Sequence, residues 1–156
     1  GLAVDHEGNL YIADTGNSKI KIFDNTGNFL EVFKIKGKKG DSVLEKPWDL
    51  AFDSQGKLHI IDQGSAALIT FAQNGELLFA TRTKEPTNHS MGLKRPNNIH
   101  IDSKDRIIIT DDLNNRFSVW QVLTKTYLAE NPITADDVEA LNNHIEKRKS
   151  ELAEQK

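Results

Sequence analysis

Two short stretches near the start of the chain set acidic side chains beside glycine: Asp5-His6-Glu7-Gly8-Asn9 and Asp14-Thr15-Gly16-Asn17. Carboxylates crowded at such spacing are the raw material of calcium loops and of acid–base pairs. Neither stretch has the alternating oxygen ligands and distal glutamate of an EF-hand. Five histidines occur, His6, His59, His89, His100 and His144, and no two stand at a spacing that puts both imidazoles on one face of an element. The chain has no cysteine, which excludes disulfides, thiolate catalysis, cysteine-bound zinc and covalently attached c-type haem. No cofactor is expected from these residues.

The acids recur, and the recurrence says what they do. At one constant offset Leu2 falls on Leu50, Asp5 on Asp53, Gly8 on Gly56, Asp14 on Asp62, Gly16 on Gly64 and Phe23 on Phe71. A third copy places Ile99, Asp102, Asp111 and Trp120 where Leu2, Asp5, Asp14 and Phe23 stood. The linkers agree, because LEKP and LKRP both put a leucine three residues before the proline that leads into a copy. A metal site has little reason to recur in every copy with its glycine exchanged for Asp105 in one place and Leu113 in another. A turn has good reason: glycine takes positive φ without a Cβ penalty, Asp and Asn tolerate left-handed backbone, and an aspartate accepts backbone N–H groups two residues on. Asp5, Gly8, Asp14, Gly16, Asp53, Gly56, Asp62, Gly64, Asp102 and Asp111 are therefore read as turn residues.

Between these turns lie segments such as LAVD, NLYIAD, KIKIFD and FLEVF, short and rich in β-branched and aromatic side chains. Four antiparallel strands per roughly 48 residues make one propeller blade. The reading is all-β: three four-stranded blades over about 1–46, 47–95 and 96–130, with QVLTKTYLAE supplying the last strand through Tyr127 and Leu128. Residues 131–156 read as a helical tail. Thr134 is its N-cap, Asp136 and Asp137 suit its positive end, and Val138, Leu141, Ile145 and Leu152 form one narrow apolar stripe.

The series Pro-x-x-Leu/Ile-x-Val/Phe/Ile-Asp, then GNLYIADTGN, then KIKIFD with a late glycine and Phe-Leu, resembles the NHL repeat over about residues 1–128. The second copy departs from it with Ser65-Ala-Ala-Leu68 in place of a polar turn, and the third lacks the late glycine. That resemblance implies a β-propeller, usually of six blades, whose first strand in each blade runs nearest the central channel. Asp49, Asn98 and His100 are then the channel-facing candidates, His100 standing where Ala3 and Ala51 stand. Three blades would leave two apolar faces open, so N-terminal blades upstream of Gly1, or a second half-ring, are expected to close the ring.

Charge and composition bound the function. A net charge of -3 and 7% aromatics give no general attraction to nucleic acid, and Lys34 to Lys39 is the one basic cluster. No apolar run approaches the roughly 20 residues that span a bilayer. With no nucleophile and base at workable spacing, the expectation is a non-catalytic propeller that binds protein partners through its loop face and its C-terminal helix. A helical tail after such repeats is also similar to bacterial accessory proteins of extracytoplasmic assemblies, some of them redox complexes, which points to an extracytoplasmic setting. The alternative is a hydrolase or lyase with a metal in the channel, and an RNA-binding propeller stands third. Asn88-His89-Ser90 is a glycosylation sequon only in a secreted eukaryotic protein.

Overall fold

The structure is a computed structural model that describes residues 1–36, 43–81, 92–123 and 125–154, except for the side chains of 125–126, 141, 144, 148–149 and 151–154. The sequon at 88–90, His89, Lys38 and Lys39 lie outside the described residues, as do the side chains of His144, Leu141 and Leu152.

Runs of β-branched and aromatic residues between tight turns fold as antiparallel meanders. The first sheet is β1 (Leu2–Val4), β2 (Leu10–Asp14), β3 (Lys19–Phe23) and β4 (Phe29–Val32), paired in chain order. The second is β5 (Pro47–Phe52), β6 (Leu58–Asp62), β7 (Ala67–Phe71) and β8 (Leu77–Ala80). The third has, among the described residues, three strands: β9 (Pro96–Ile101), β10 (Arg106–Asp111) and β11 (Arg116–Gln121). These make one compact unit, Gly1–Gln121, in which the first strands β1, β5 and β9 lie side by side.

Alternation along each strand gives every sheet two faces, and the faces are stacked. Ala3, Tyr11, Ala13, Ile20 and Ile22 of the first sheet pack on Leu50, Phe52, Leu58, Ile60, Ala67, Ile69 and Phe71 of the second. Phe33 meets Phe71 edge-on with ring centroids 5.6 Å apart. Each fully buried Leu, Ile or Phe among them contributes about 1.5–3 kcal/mol. The opposite face of the second sheet buries His59, Ile61, Leu68 and Thr70, where the third sheet brings Ile99, Ile107 and Ile109. The two outer faces stay open: Leu2 and Val4 are 63% and 56% exposed, Phe117 and Val119 69% and 51%.

The first acid of each copy is a turn residue as the sequence indicates. Asp5 Oδ1 accepts Glu7 N at 2.9 Å and Asn9 N at 2.8 Å, and Asp53 and Asp102 repeat the pattern with Gln55 and Lys57, and with Lys104 and Arg106. The left-handed residue follows at Gly8 (φ 87°), Gly56 (φ 74°) and Asp105 (φ 56°).

The second acid corrects the sequence reading. Asp62 is fully buried, and its carboxylate accepts Glu45 N at 2.7 Å and Lys46 N at 3.2 Å from the linker before the sheet, besides Ser65 N at 2.9 Å in its own turn. Asp111, equally buried, takes Lys94 N at 3.1 Å and Arg95 N at 2.9 Å. These are clamps on a linker rather than simple turn acids. Asp14 pairs with Lys21 Nζ at 2.7 Å and with Asn17 in its own turn. The glycines of these turns are corrected too. Gly16 lies within a single 3-10 turn, Thr15–Asn17, and the left-handed backbone falls on the residue after it, Ser18 (φ 55°). Its counterparts are Ala66 (φ 49°) and Asn115 (φ 49°), so Gly64 is not the left-handed residue of its turn.

The linkers are held from the other side by the preceding sheet. Thr15 Oγ1 donates to Pro47 O at 2.6 Å and Ser18 Oγ to Glu45 O at 2.6 Å, and at the next seam Gln63 Nε2 donates to Pro96 O at 3.0 Å.

Val122–Lys156 form the second compact unit. The closing strand expected through Tyr127 and Leu128 is instead helix α1 (Lys125–Glu130). KTYLAE lacks polar–apolar alternation, and Lys, Leu, Ala and Glu are good helix formers. Helix α2 (Ala135–Glu154) starts on a reciprocal cap: Thr134 N donates to Asp137 Oδ2 at 2.8 Å while Asp137 N donates to Thr134 Oγ1 at 3.2 Å. No helix among the described residues is long and apolar enough to cross a membrane.

Candidate functional site

Where the first two sheets meet, a groove of about 420 Å³ opens beside the β1–β2 turn. Asp5, His6, Glu7 and Asn9 come from that turn, Glu31 and Leu30 from β4, and Gln73 from the turn after β7. Tyr11 of β2 and Phe52 of β5 stand edge to face in its wall, centroids 4.9 Å apart. Burial first, and then the charges of Asp5, Glu7 and Glu31, push the Tyr11 phenol above its ordinary pKa. Ultraviolet titration should therefore find one phenol ionising late, and Glu7→Gln should bring it nearer the ordinary range. A Tyr11 phenol that titrates normally in the parent protein contradicts this placement.

At the corresponding place of the second seam the two sheets are joined directly, and the internal repeat shows how. There Ser54 N donates to Asp105 Oδ1 at 2.9 Å and Ser54 Oγ to Asp105 Oδ2, which straps one sheet's turn to the next. The positions equivalent to Ser54 and Asp105 at the first seam are His6 and Gly56, which carry no such pair. Beneath the strap, His59 Nδ1 meets Thr70 Oγ1 at 2.9 Å and His59 Nε2 lies 3.3 Å from Asp53 Oδ2. The Lys57 ammonium is 3.9 Å from the same oxygen. Burial works against the ionised Asp53, yet the His59 hydrogen bond, the Lys57 N–H and both neighbouring charges hold its pKa below the ordinary range. At the first seam Tyr11 replaces His59, Asn9 replaces Lys57 and Ile22 replaces Thr70. The carboxylate of Asp5 is met by Asn9 Nδ2 at 3.0 Å instead of a cation.

Sequence reasoning missed this groove because it treated Asp5 to Asn9 as a turn alone. The signal lay in columns of the repeat, where neutral Asn9 and Tyr11 stand against Lys57 and His59. Of the first-strand candidates, Asp49 and Asn98 are brought together: Asp49 Oδ2 accepts Ile99 N at 3.0 Å and lies 3.5 Å from Asn98 Nδ2. His100 is exposed on β9 opposite Ile108, on the same outer face as Phe117 and Val119. Among the described residues no three His, Asp or Glu side chains gather as metal ligands.

The meander of four strands, its paired acids and the residues GNLYIADTGN now stand together in one blade. Residues 1–23 match the NHL repeat. That match covers β1 to β3 of the first sheet, and the three-sheet stack resembles solved propeller proteins. A streptogramin B lyase superposes with TM-score 0.55 at 14% identity, over 80% of this chain and 40% of its own. Virginiamycin B lyase from Staphylococcus aureus, solved as a catalytically inactive variant with quinupristin, gives 0.54 at 14%, over 80% and 41%. A luciferin-regenerating enzyme gives 0.53 at 17%, over 74% and 38%. The chain thus spans about two fifths of the solved structures it resembles. No curated relative matches the sequence.

At these identities the likeness fixes the fold alone. It nevertheless corrects one expectation: blades of this build occur in enzymes, so the lack of a nucleophile–base pair on these three gives no ground for reading the protein as a non-enzyme.

Proposed function

We propose that this chain is an arc of an NHL-type propeller that recognises a protein partner on the face bearing the β1–β2 and β3–β4 turns, with α2 as a second contact. The supporting observation is the groove at the first seam, left open and acid-rimmed where the second seam is strapped. Open clefts at the junction of two repeats are where repeat proteins hold their ligands. Helix α2 presents Val138 and Ile145 with 48% and 42% exposure, and its sequence continues the stripe through Leu141 and Leu152. Further blades, from the same polypeptide or a second copy, complete the ring in this reading. An extracytoplasmic setting is carried with it and is checked by cell fractionation.

The test is cross-linking of the full-length protein to its partner in the native source, followed by the rim variant Leu30→Asp. Leu30 is 49% exposed, so the substitution should leave the melting temperature in place. Cross-links should gather on the two turns, and affinity for the partner identified should fall by at least about tenfold. Cross-links spread evenly over the blades, with unchanged affinity in the variant, would refute the proposal.

A second reading, a channel-metal enzyme, draws on the lyase-like fold and on Asp49, Asn98 and His100 along the first strands β5 and β9. Metal analysis of the purified full-length protein decides it, since a stoichiometric ion lost with activity on chelation is required.

A further inference from the structure

We infer that the groove between the first two sheets binds the primary ammonium of a lysine side chain supplied by the partner. This rests on the proposed partner-binding face and gives its chemistry. The strongest reason is internal. At the equivalent place of the second seam the chain supplies its own lysine, Lys57, whose ammonium lies 3.9 Å from Asp53 Oδ2. The first seam keeps the equivalent carboxylate, Asp5, and replaces the lysine by Asn9.

Four further features make the groove fit a cation on an apolar stem. Glu7 and Glu31 add carboxylates to the rim, and among the described residues Glu31 pairs with the well exposed Lys34 while Glu7 has no ion pair. The wall holds Tyr11 and Phe52, with Ile22 and Leu30 beside them, so a methylene chain meets apolar surface and its charged end meets carboxylates and ring. The size, about 420 Å³, suits one long side chain rather than a folded surface. The strap across the other seam is missing because His6 and Gly56 stand in place of Ser54 and Asp105.

The full-length protein is titrated at low salt with N-acetyl-lysine methylamide and, separately, with its norleucine counterpart, which has the stem without the charge. Saturable binding of the lysine compound is expected, weakening as salt rises, with the norleucine compound at least about tenfold weaker. The decisive variant is Asn9→Lys, which gives the first seam the residue that the second already tolerates. It should melt no lower than the parent and should lose the lysine compound by about tenfold or more, because its own ammonium takes the place. Glu7→Gln, on the exposed rim, should weaken binding several-fold without unfolding.

No binding of the lysine compound, equal binding of the norleucine compound, or undiminished binding by Asn9→Lys each overturns the inference. If the lysine compound fails while Leu30→Asp still weakens the partner, this inference falls and the partner-binding face stands. If the lysine compound binds as described while no rim variant affects the partner, the groove takes free amines such as polyamines, and the assignment to a partner's lysine falls.

Discussion

Asp62→Ala should destabilise the first compact unit by about 3–5 kcal/mol, a large loss for one side chain. Three backbone N–H groups, on Glu45, Lys46 and Ser65, point at this carboxylate in a place closed to water. Removing the acceptor takes the carboxylate from all three. Asp111→Ala should behave alike, since Lys94 and Arg95 donate to it in the same way. Asp14 occupies the same position of the repeat, and among the described residues its side chain pairs with Lys21 and Asn17 near the surface, so Asp14→Ala should change stability little. Chemical denaturation of the three variants makes the comparison, and similar losses at Asp14 and Asp62 would show that the linker contacts carry no special weight.

The second large effect is expected at Gly75. This glycine is buried at φ 82° in the turn between β7 and β8, and an added Cβ would fall on the carbonyl oxygen of Lys34. The strand leaving the first sheet passes close by, with Lys36 N donating to Gly75 O at 2.7 Å. Gly75→Ala must therefore adopt left-handed backbone and also push the linker away, a combined cost of about 3 kcal/mol. Gly27 supplies the control. It takes the same turn in the first sheet, at φ 89°, with no atom within 4 Å of an added Cβ. Gly27→Ala should cost only the backbone strain, about 1 kcal/mol. Thermal melts that place the two variants together would remove the linker contact from the account.

The difference between these positions also explains what was legible in the sequence. Asp5, Asp53 and Asp102 could be read because their hydrogen bonds close within four residues, so the local string contains both partners. Asp62 and Asp111 look the same in the string, yet their main donors lie sixteen or seventeen residues upstream. Nothing local distinguishes a turn acid from a linker clamp. The left-handed positions differ from the sequence reading for a related reason: Gly16 and Gly64 attract attention as glycines, while the positive φ falls on Ser18 and Ala66, whose residue types do not announce it. Tyr127 and Leu128 were read as a strand on residue type, but a strand needs a neighbouring edge to pair with and a helix closes its own hydrogen bonds. The groove belongs to two copies at once, and becomes visible only when the copies are compared position by position.

The divided linker has a consequence for how such a chain can grow. Glu45 and Lys46 give their N–H groups to Asp62 in the sheet that follows, while the carbonyls of Glu45 and Pro47 accept from Ser18 and Thr15 in the sheet that precedes. Neither sheet owns the connection. The unit that gene duplication can copy without loss thus runs from the middle of one linker to the middle of the next, and an extra copy inserted in that phase arrives with a donor edge for one neighbour and an acceptor edge for the other. A copy cut at a sheet boundary would bring a linker whose polar groups match on one side only. Lineages that lengthened this protein by whole repeats would keep that phase, and the break points of their duplications should fall inside the segments before Pro47 and Pro96.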